Sequence, residues 1–311
     1  MCTNIESLLF IPSTQTDSSY GAALISNTCL CQIKYYYLFS VLSLPSHTHT
    51  QVTIMSKDKR ILLTGAAGSI GKTLYEAWET QERYELTLCD LRLPDSKRSR
   101  NTVADVRNYQ QMRMLCQEQD VLVHLAYVPQ KHLGKEAGEI TDIGASMLFF
   151  EAAREAGIST IILASTNHVT GVNERHVPAR LSTGDQFVPD GWYGAMKGMA
   201  EIAGRHLVEN CAMRFVSIRI GSFTGRNRAD SLRTCSTLLT PRDCVQLFTL
   251  AVDYEGLERY LVTYGTSGNY GTHHPGFLDI SAAVDVLGYQ PQDNALRDFG
   301  ADQLSTMTEK T

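Results

Sequence analysis

The sequence predicts an α/β fold: a doubly wound parallel sheet followed by a small C-terminal lobe. Two observations carry that expectation. Short apolar runs at Arg60–Thr64, Tyr84–Asp90, Asp120–Ala126 and Thr160–Ser165 alternate with stretches of helical period. The first run ends in Gly65-Ala-Ala-Gly68-Ser-Ile-Gly71, and Tyr193-x-x-x-Lys197 follows about 130 residues after Gly65.

Each element follows in order. Arg60–Thr64 reads as a strand, the glycines as its turn, and Ile70, Leu74, Ala77 and Trp78 as one face of a helix. Strand, glycine turn and helix make the Rossmann-type dinucleotide signature, in which the backbone must approach a pyrophosphate and the helix must pack close to the strand. Free N–H groups at the helix start then face the phosphates. A plain strand–helix turn is the competing reading. Gly65, Ala67, Gly68, Ser69, Ile70 and Gly71 are therefore candidate cofactor contacts. The next strand ends at Asp90, 19 residues after Gly71, where a carboxylate accepts from ribose hydroxyls and repels a 2′-phosphate. That favours NAD over NADP, although Arg92 nearby is the residue type that accommodates such a phosphate. Asp105 and Val106 either line the adenine or belong to a solvated loop.

Asp120–Ala126 is continuously apolar, as a parallel strand buried on both faces is. His124 inside it reads as a satisfied core histidine. Leu125, Ala126 and Tyr127 at its end, and Ile220 at the end of a later strand, are expected to border the cofactor. Phe149–Ala156 reads as a helix capped by Gly157. Thr160–Ser165 is the next buried strand, and Thr166 at its end can hydrogen-bond a reacting oxygen. Tyr193 and Lys197, one helical turn apart, share a face, so that the ammonium can lower the phenol's pKa and make a base able to deprotonate an alcohol. After Gly221 about 90 residues remain, read as a helix near Pro241–Val252, a strand near Arg259–Tyr264 and a helix near Leu278–Leu287.

The bulk numbers agree and exclude other classes. The chain has 311 residues, 43% hydrophobic and 20% charged, enough for a sizeable core. A net charge of −5 gives no basic surface for nucleic acid, and no apolar run reaches the roughly 18–20 residues of a membrane span. Eight cysteines in a chain this long are not a disulfide framework. Cys89, Cys116, Cys211 and Cys244 read as reduced packing residues, which fits a cytoplasmic setting. Cys29-x-Cys31 lacks a partner pair at zinc spacing and His273-His274 reads as a solvated pair, so no metal is expected. Residues 1–55 are rich in Ser and Thr, without helical or strand period, and Met55-Ser-Lys-Asp-Lys-Arg leads directly into the first strand. They are expected to be an extension outside the fold, leaving residues 56–311 as the folded domain, with a substrate lobe formed mainly by 221–290.

Taken in order, the glycine turn, Thr166 and Tyr193-x-x-x-Lys197 resemble the extended short-chain dehydrogenases/reductases, the NAD-dependent epimerase/dehydratase family. Ala164-Ser-Thr-Asn-His168, Pro189-Asp-Gly-Trp-Tyr-Gly194, Arg219-Ile-Gly-Ser222 and Arg233-Thr-Cys-Ser-Thr237 are similar to the uronate dehydrogenases within it. The resemblance implies a catalytic set of Thr166, Tyr193 and Lys197, with Thr166 standing for the family's serine. It also implies substrate contacts from Asn167, His168, Tyr193, Ser222 and Arg233, the arginine clamping a sugar carboxylate. A guanidinium suits that role because it binds a carboxylate with planar, two-pronged geometry. A surface ion pair at Arg233, and plain strand-end hydrogen bonding by Asn167 and His168, stay open. Asp142 stands where the family usually has an asparagine, and Pro129 where it often has a serine. The implied reaction is NAD-dependent oxidation of a free, uronate-like sugar acid to a lactone. A neutral-sugar or sugar-phosphate dehydrogenase, or an NAD-retaining epimerase, is the alternative. A homo-oligomer is possible by analogy alone.

Overall fold

The computed structural model describes residues 59–129, 140–175, 180–225, 228–229, 231–269 and 276–298. Residues 1–55, Cys29, Cys31, His273 and His274 lie outside the described residues. Met55–Thr311 form one compact unit.

Its centre is a sheet of seven strands, all parallel, in the order β3-β2-β1-β4-β5-β6-β7. The strands are β1 (Lys59–Thr64), β2 (Tyr84–Asp90), β3 (Arg100–Val103), β4 (Val121–His124), β5 (Thr160–Thr166), β6 (Arg214–Ile220) and β7 (Tyr260–Gly265). The order reverses between β1 and β4, and in doubly wound sheets a ligand sits beyond the strand ends at such a reversal.

Helices cover both faces, which is why β1, β4 and β5 are apolar without alternation. On one face α1 (Ser69–Gln81) and α6 (Pro241–Asp253) pack Leu74, Trp78, Leu247 and Phe248 over Ile61 and Leu63. On the other, α2 (Tyr109–Cys116), α3 (Asp142–Glu155) and α4 (Trp192–Asn210) pack Leu115, Phe149, Phe150 and Ala200 over Leu62 and Leu163. Neighbouring β1 residues thus serve opposite cores, as strand geometry requires.

Two sequence expectations need correction. The helix read from Phe149 begins at Asp142, because the Thr141 side chain accepts the Gly144 N–H and caps the helix a full two turns earlier. The helix expected near Leu278–Leu287 starts at Ser281 and is π-helical over Ala283–Leu287, since Leu278 is taken into a bridge with Leu181. His124 is a core residue: its Nδ1 meets the Thr64 hydroxyl at 2.9 Å, and burial pushes its pKa down to about 3.

Candidate active site

The turn after β1 is built for close approach. Gly65 has φ +71°, and a Cβ on Gly71 would lie 2.4 Å from the Gly65 carbonyl oxygen. Helix α1 starts at Ser69 with no side chain capping its first N–H groups, so that these donors await another acceptor. Asp90, at the end of β2, accepts from the Ala67 N–H at 3.0 Å and from the Arg92 N–H at 3.2 Å. Its carboxylate is thereby fixed beside the turn.

Two hollows meet over this turn. One, of about 480 Å³, is lined by Asp90, Arg92, Asp105, Val106, Ala126 and Pro129 among others. The second, of about 360 Å³, is lined by Ser69, Ile70, Gly71, Ala164, Thr166, His168, Tyr193, Lys197 and Ile220 among others. Both share Gly65, Gly68, Leu125 and Tyr127. Asp105 is ion-paired with Arg107, whose guanidinium holds the carboxyl below the usual range.

Helix α4 reaches the second hollow because residue 194 is glycine. A Cβ there would stand 2.2 Å from the His168 carbonyl oxygen. Tyr193 accordingly sits against His168 and Tyr127, with ring centroids at 6.1 and 5.0 Å. The Thr166 hydroxyl also accepts from the His168 N–H at 3.2 Å. His168 Nδ1 meets the Asp190 carboxylate at 2.7 Å.

The Tyr193–Lys197 relation differs from expectation. Lys197 is 2% exposed and its ammonium lies 3.5 Å from the equally buried carboxylate of Asp142 and 5.8 Å above the Tyr127 ring. Asp142 is held in turn by the Val128 N–H at 2.8 Å. The pKa of Tyr193 is raised, first by burial and further by Asp142, while a hydrogen bond from Thr166 pulls it down. The sequence-based expectation of a phenol lowered by Lys197 is corrected on this point: the ammonium is engaged by Asp142. Burial lowers the pKa of Lys197, and Asp142 opposes that fall.

Asn167, Ser222 and Arg233 do not line either hollow. Asn167 is fully buried; its Nδ2 donates to Glu174, and its Oδ1 finds no donor. Ser222, flanked by the lining residues Gly221 and Phe223, bonds the Thr237 hydroxyl at 2.8 Å. Arg233, on the short helix α5 (Leu232–Thr237), donates from Nε and Nη2 to Glu174 Oε2 at 3.0 and 2.9 Å. The ion pair left open by the sequence is therefore present. Sequence reasoning missed Asp142 as the partner of Lys197 and missed Glu174 entirely. The departure from asparagine was a signal for the first; nothing marks the second.

Fold and site together define an NAD-dependent dehydrogenase on a Rossmann-type sheet. A family model described as the NAD dependent epimerase/dehydratase family matches residues 61–240. The chain belongs to that family. It is 31% identical to a uronate dehydrogenase of Pseudomonas putida, over 76% of this chain and 85% of that one. It is 28% identical to an NAD-dependent glucose-6-phosphate dehydrogenase of Haloferax volcanii, over 76% and 95%. Among solved structures, a mutant uronate dehydrogenase from Agrobacterium tumefaciens complexed with NAD superposes with a TM-score of 0.66 at 27% identity, covering 81% of this chain and 91% of that one.

Proposed function

We propose that this chain oxidises the anomeric hydroxyl of a free sugar acid of the uronate type, releasing a lactone. One observation carries the reading: Thr166, Tyr193 and Lys197 line the same hollow, which opens onto the glycine turn. The residues fit a dinucleotide. Gly65, Ala67, Gly68, Ser69, Ile70 and Gly71 would hold the pyrophosphate and Asp90 the adenosine ribose. Asp105 and Val106 would flank the adenine, and Leu125, Ala126, Tyr193, Lys197 and Ile220 the nicotinamide end. What NAD supplies when bound is a hydride acceptor.

The protein's part is proton handling and positioning. The substrate hydroxyl lies between Thr166 and Tyr193. Thr166 donates to the reacting oxygen, and ionised Tyr193 takes its proton. Lys197 lines the same hollow with its ammonium paired to Asp142, and would place a positive charge beside the reacting oxygen. His168, fixed by Asp190, would orient ring hydroxyls, with Asn167 buried behind it as support; Ser222 and Arg233, from the segment after Gly221, would meet the carboxylate end. Such orientation removes much of the entropic barrier. A second reading, a neutral sugar or sugar phosphate as substrate, is favoured by the pairing of Arg233 with Glu174.

The test is NADH formation across glucuronate, galacturonate, glucose and glucose 6-phosphate. Uronates are expected to be oxidised, and Tyr193→Phe to lower turnover by at least about 100-fold while NAD still binds. Activity on glucose alone would remove the sugar-acid reading. Turnover of the Phe variant within about ten-fold of the natural chain would remove the base assignment.

A further inference from the structure

Glu174 presents a carboxylate to the same guanidinium edge that a sugar acid would use. Both Nε and Nη2 of Arg233 donate to its Oε2, at 3.0 and 2.9 Å, while Oε1 accepts from Asn167. The partners come from distant parts of the chain, 59 residues apart. The Arg233 side chain is 42% exposed and that of Glu174 only 10%, so the carboxylate lies on the inner side of the pair. Asn167 follows Thr166 and precedes His168, both of which line the catalytic hollow. The pair is therefore joined, through Asn167, to the segment that carries the reacting position.

We propose that Glu174 is a specificity-determining residue: an internal carboxylate that occupies Arg233 until an incoming sugar acid displaces it. The proposal rests on the sugar-acid reading above and deepens it.

Three physical points carry the argument. First, a guanidinium edge engages one carboxylate at a time in two-pronged geometry, so Glu174 and a substrate carboxylate compete for Nε and Nη2. Second, the pair as it stands sums to zero charge, which removes the attraction a lone arginine would exert on an anion. A neutral sugar enters without disturbing it; an acidic one must exchange with it. Third, the Arg233 side chain is 42% exposed, which leaves the guanidinium within reach of an incoming carboxylate, and Glu174 keeps its hydrogen bond from Asn167 after the exchange. Glu174 thus lowers affinity for acidic sugars selectively and leaves the proton-transfer groups untouched. It acts through Arg233 and Asn167 rather than on the reacting carbon.

Glu174→Gln removes the charge at constant size: its amide oxygen accepts from Arg233, and its NH2, in place of Oε1, donates to Asn167 Oδ1 once that amide flips. The experiment measures kcat and KM for glucuronate and for glucose in the full-length natural chain, E174Q, R233A and the double variant, with Tm as the check on folding. Expected in E174Q is a KM for glucuronate lowered by about ten-fold, with kcat within about three-fold and no improvement for glucose. In the R233A background the gain should vanish, as it must if both carboxylates compete for that guanidinium. An unchanged or raised glucuronate KM in folded E174Q overturns the proposal alone, and so does a gain that survives removal of Arg233. If none of the four proteins oxidises glucuronate while glucose is turned over, the sugar-acid reading falls, and this proposal with it.

Discussion

Lys197 is a buried cation with its own counter-ion, and that sets the chemistry available to Tyr193. Asp142 lies 3.5 Å from the ammonium with both side chains 2% exposed, and the Val128 N–H fixes the carboxylate from the other side. His124, with its pKa pushed down to about 3, is neutral beneath them, and His168 is engaged by Asp190. Among the described residues, Asp142 is thus the one carboxylate bearing on both groups: it raises the pKa of Tyr193 and holds up that of Lys197. In the proposed mechanism, oxidation needs the phenolate and the ammonium together. Activity should therefore rise as pH passes the Tyr193 pKa and fall as it passes the Lys197 pKa. Asp142→Asn keeps the acceptor for Val128 and removes the negative charge, so both pKa values drop. Both limbs of the kcat/KM profile are expected to move to lower pH, by about one unit. A profile superimposable on that of the natural chain would show that Asp142 does not tune the pair. Of this arrangement, the sequence displayed the tyrosine, the lysine and an aspartate in an asparagine's place. The ion pair itself joins residues 55 apart, a pairing that no local pattern encodes.

At the scale of elements, α4 matters most, since it carries the tyrosine and lysine and is seated against the residues after β5. The seat depends on Gly194. A Cβ there would fall 2.2 Å from the His168 carbonyl oxygen and 2.6 Å from its carbon, both backbone atoms that cannot rotate away. Gly194→Ala should push the start of the helix outward and separate Tyr193 from Thr166. The expected cost is about 1–3 kcal/mol of stability, with turnover falling more than stability does. Gly191, three residues earlier, has no heavy atom within 4 Å of the corresponding position, so Gly191→Ala is the control and should lose less of both. Thermal unfolding and turnover of the two variants decide it; equal losses would sink the argument. The alternation of strands and helices was legible because strands between two helical layers must be apolar throughout. The start of α3 was not, since its first two turns bury polar residues, Asp142 and Ser146, where an apolar stripe is the usual sign. The start near Leu278 misled for a different reason: Leu278 is bridged to Leu181, and it and Ile280 are buried in the core on the α6 side of the sheet before the helix begins at Ser281.

At the scale of the molecule, the two hollows are lined from β2, β5, β6, α1 and α4 and from the residues just after β1 and β4, so that one dinucleotide filling both would tie most of the sheet together. Among the described residues, every buried apolar side chain lies between Ile61 and Ala295. A ligand spanning strands that share one core should stabilise that core as a unit. Binding to the folded state alone contributes about 2.7 kcal/mol when the ligand is present at 100 times its Kd. For a domain of this size that corresponds to a rise in Tm of about 5–10 °C with NAD. Tyr193→Phe should keep the rise, because the phenol acts on the proton rather than on the pyrophosphate. Asp90→Ala should lose much of it, because the same carboxylate that would meet the ribose also holds the Ala67 N–H in the glycine turn. A chain beginning at Met55 should show the same rise as the full chain, since the lining residues among those described run from Gly65 to Phe223. Thermal scans of these four proteins with and without NAD test the whole arrangement: the absence of a shift in the full chain would remove the cofactor site, and its loss on starting at Met55 would place residues 1–54 within it.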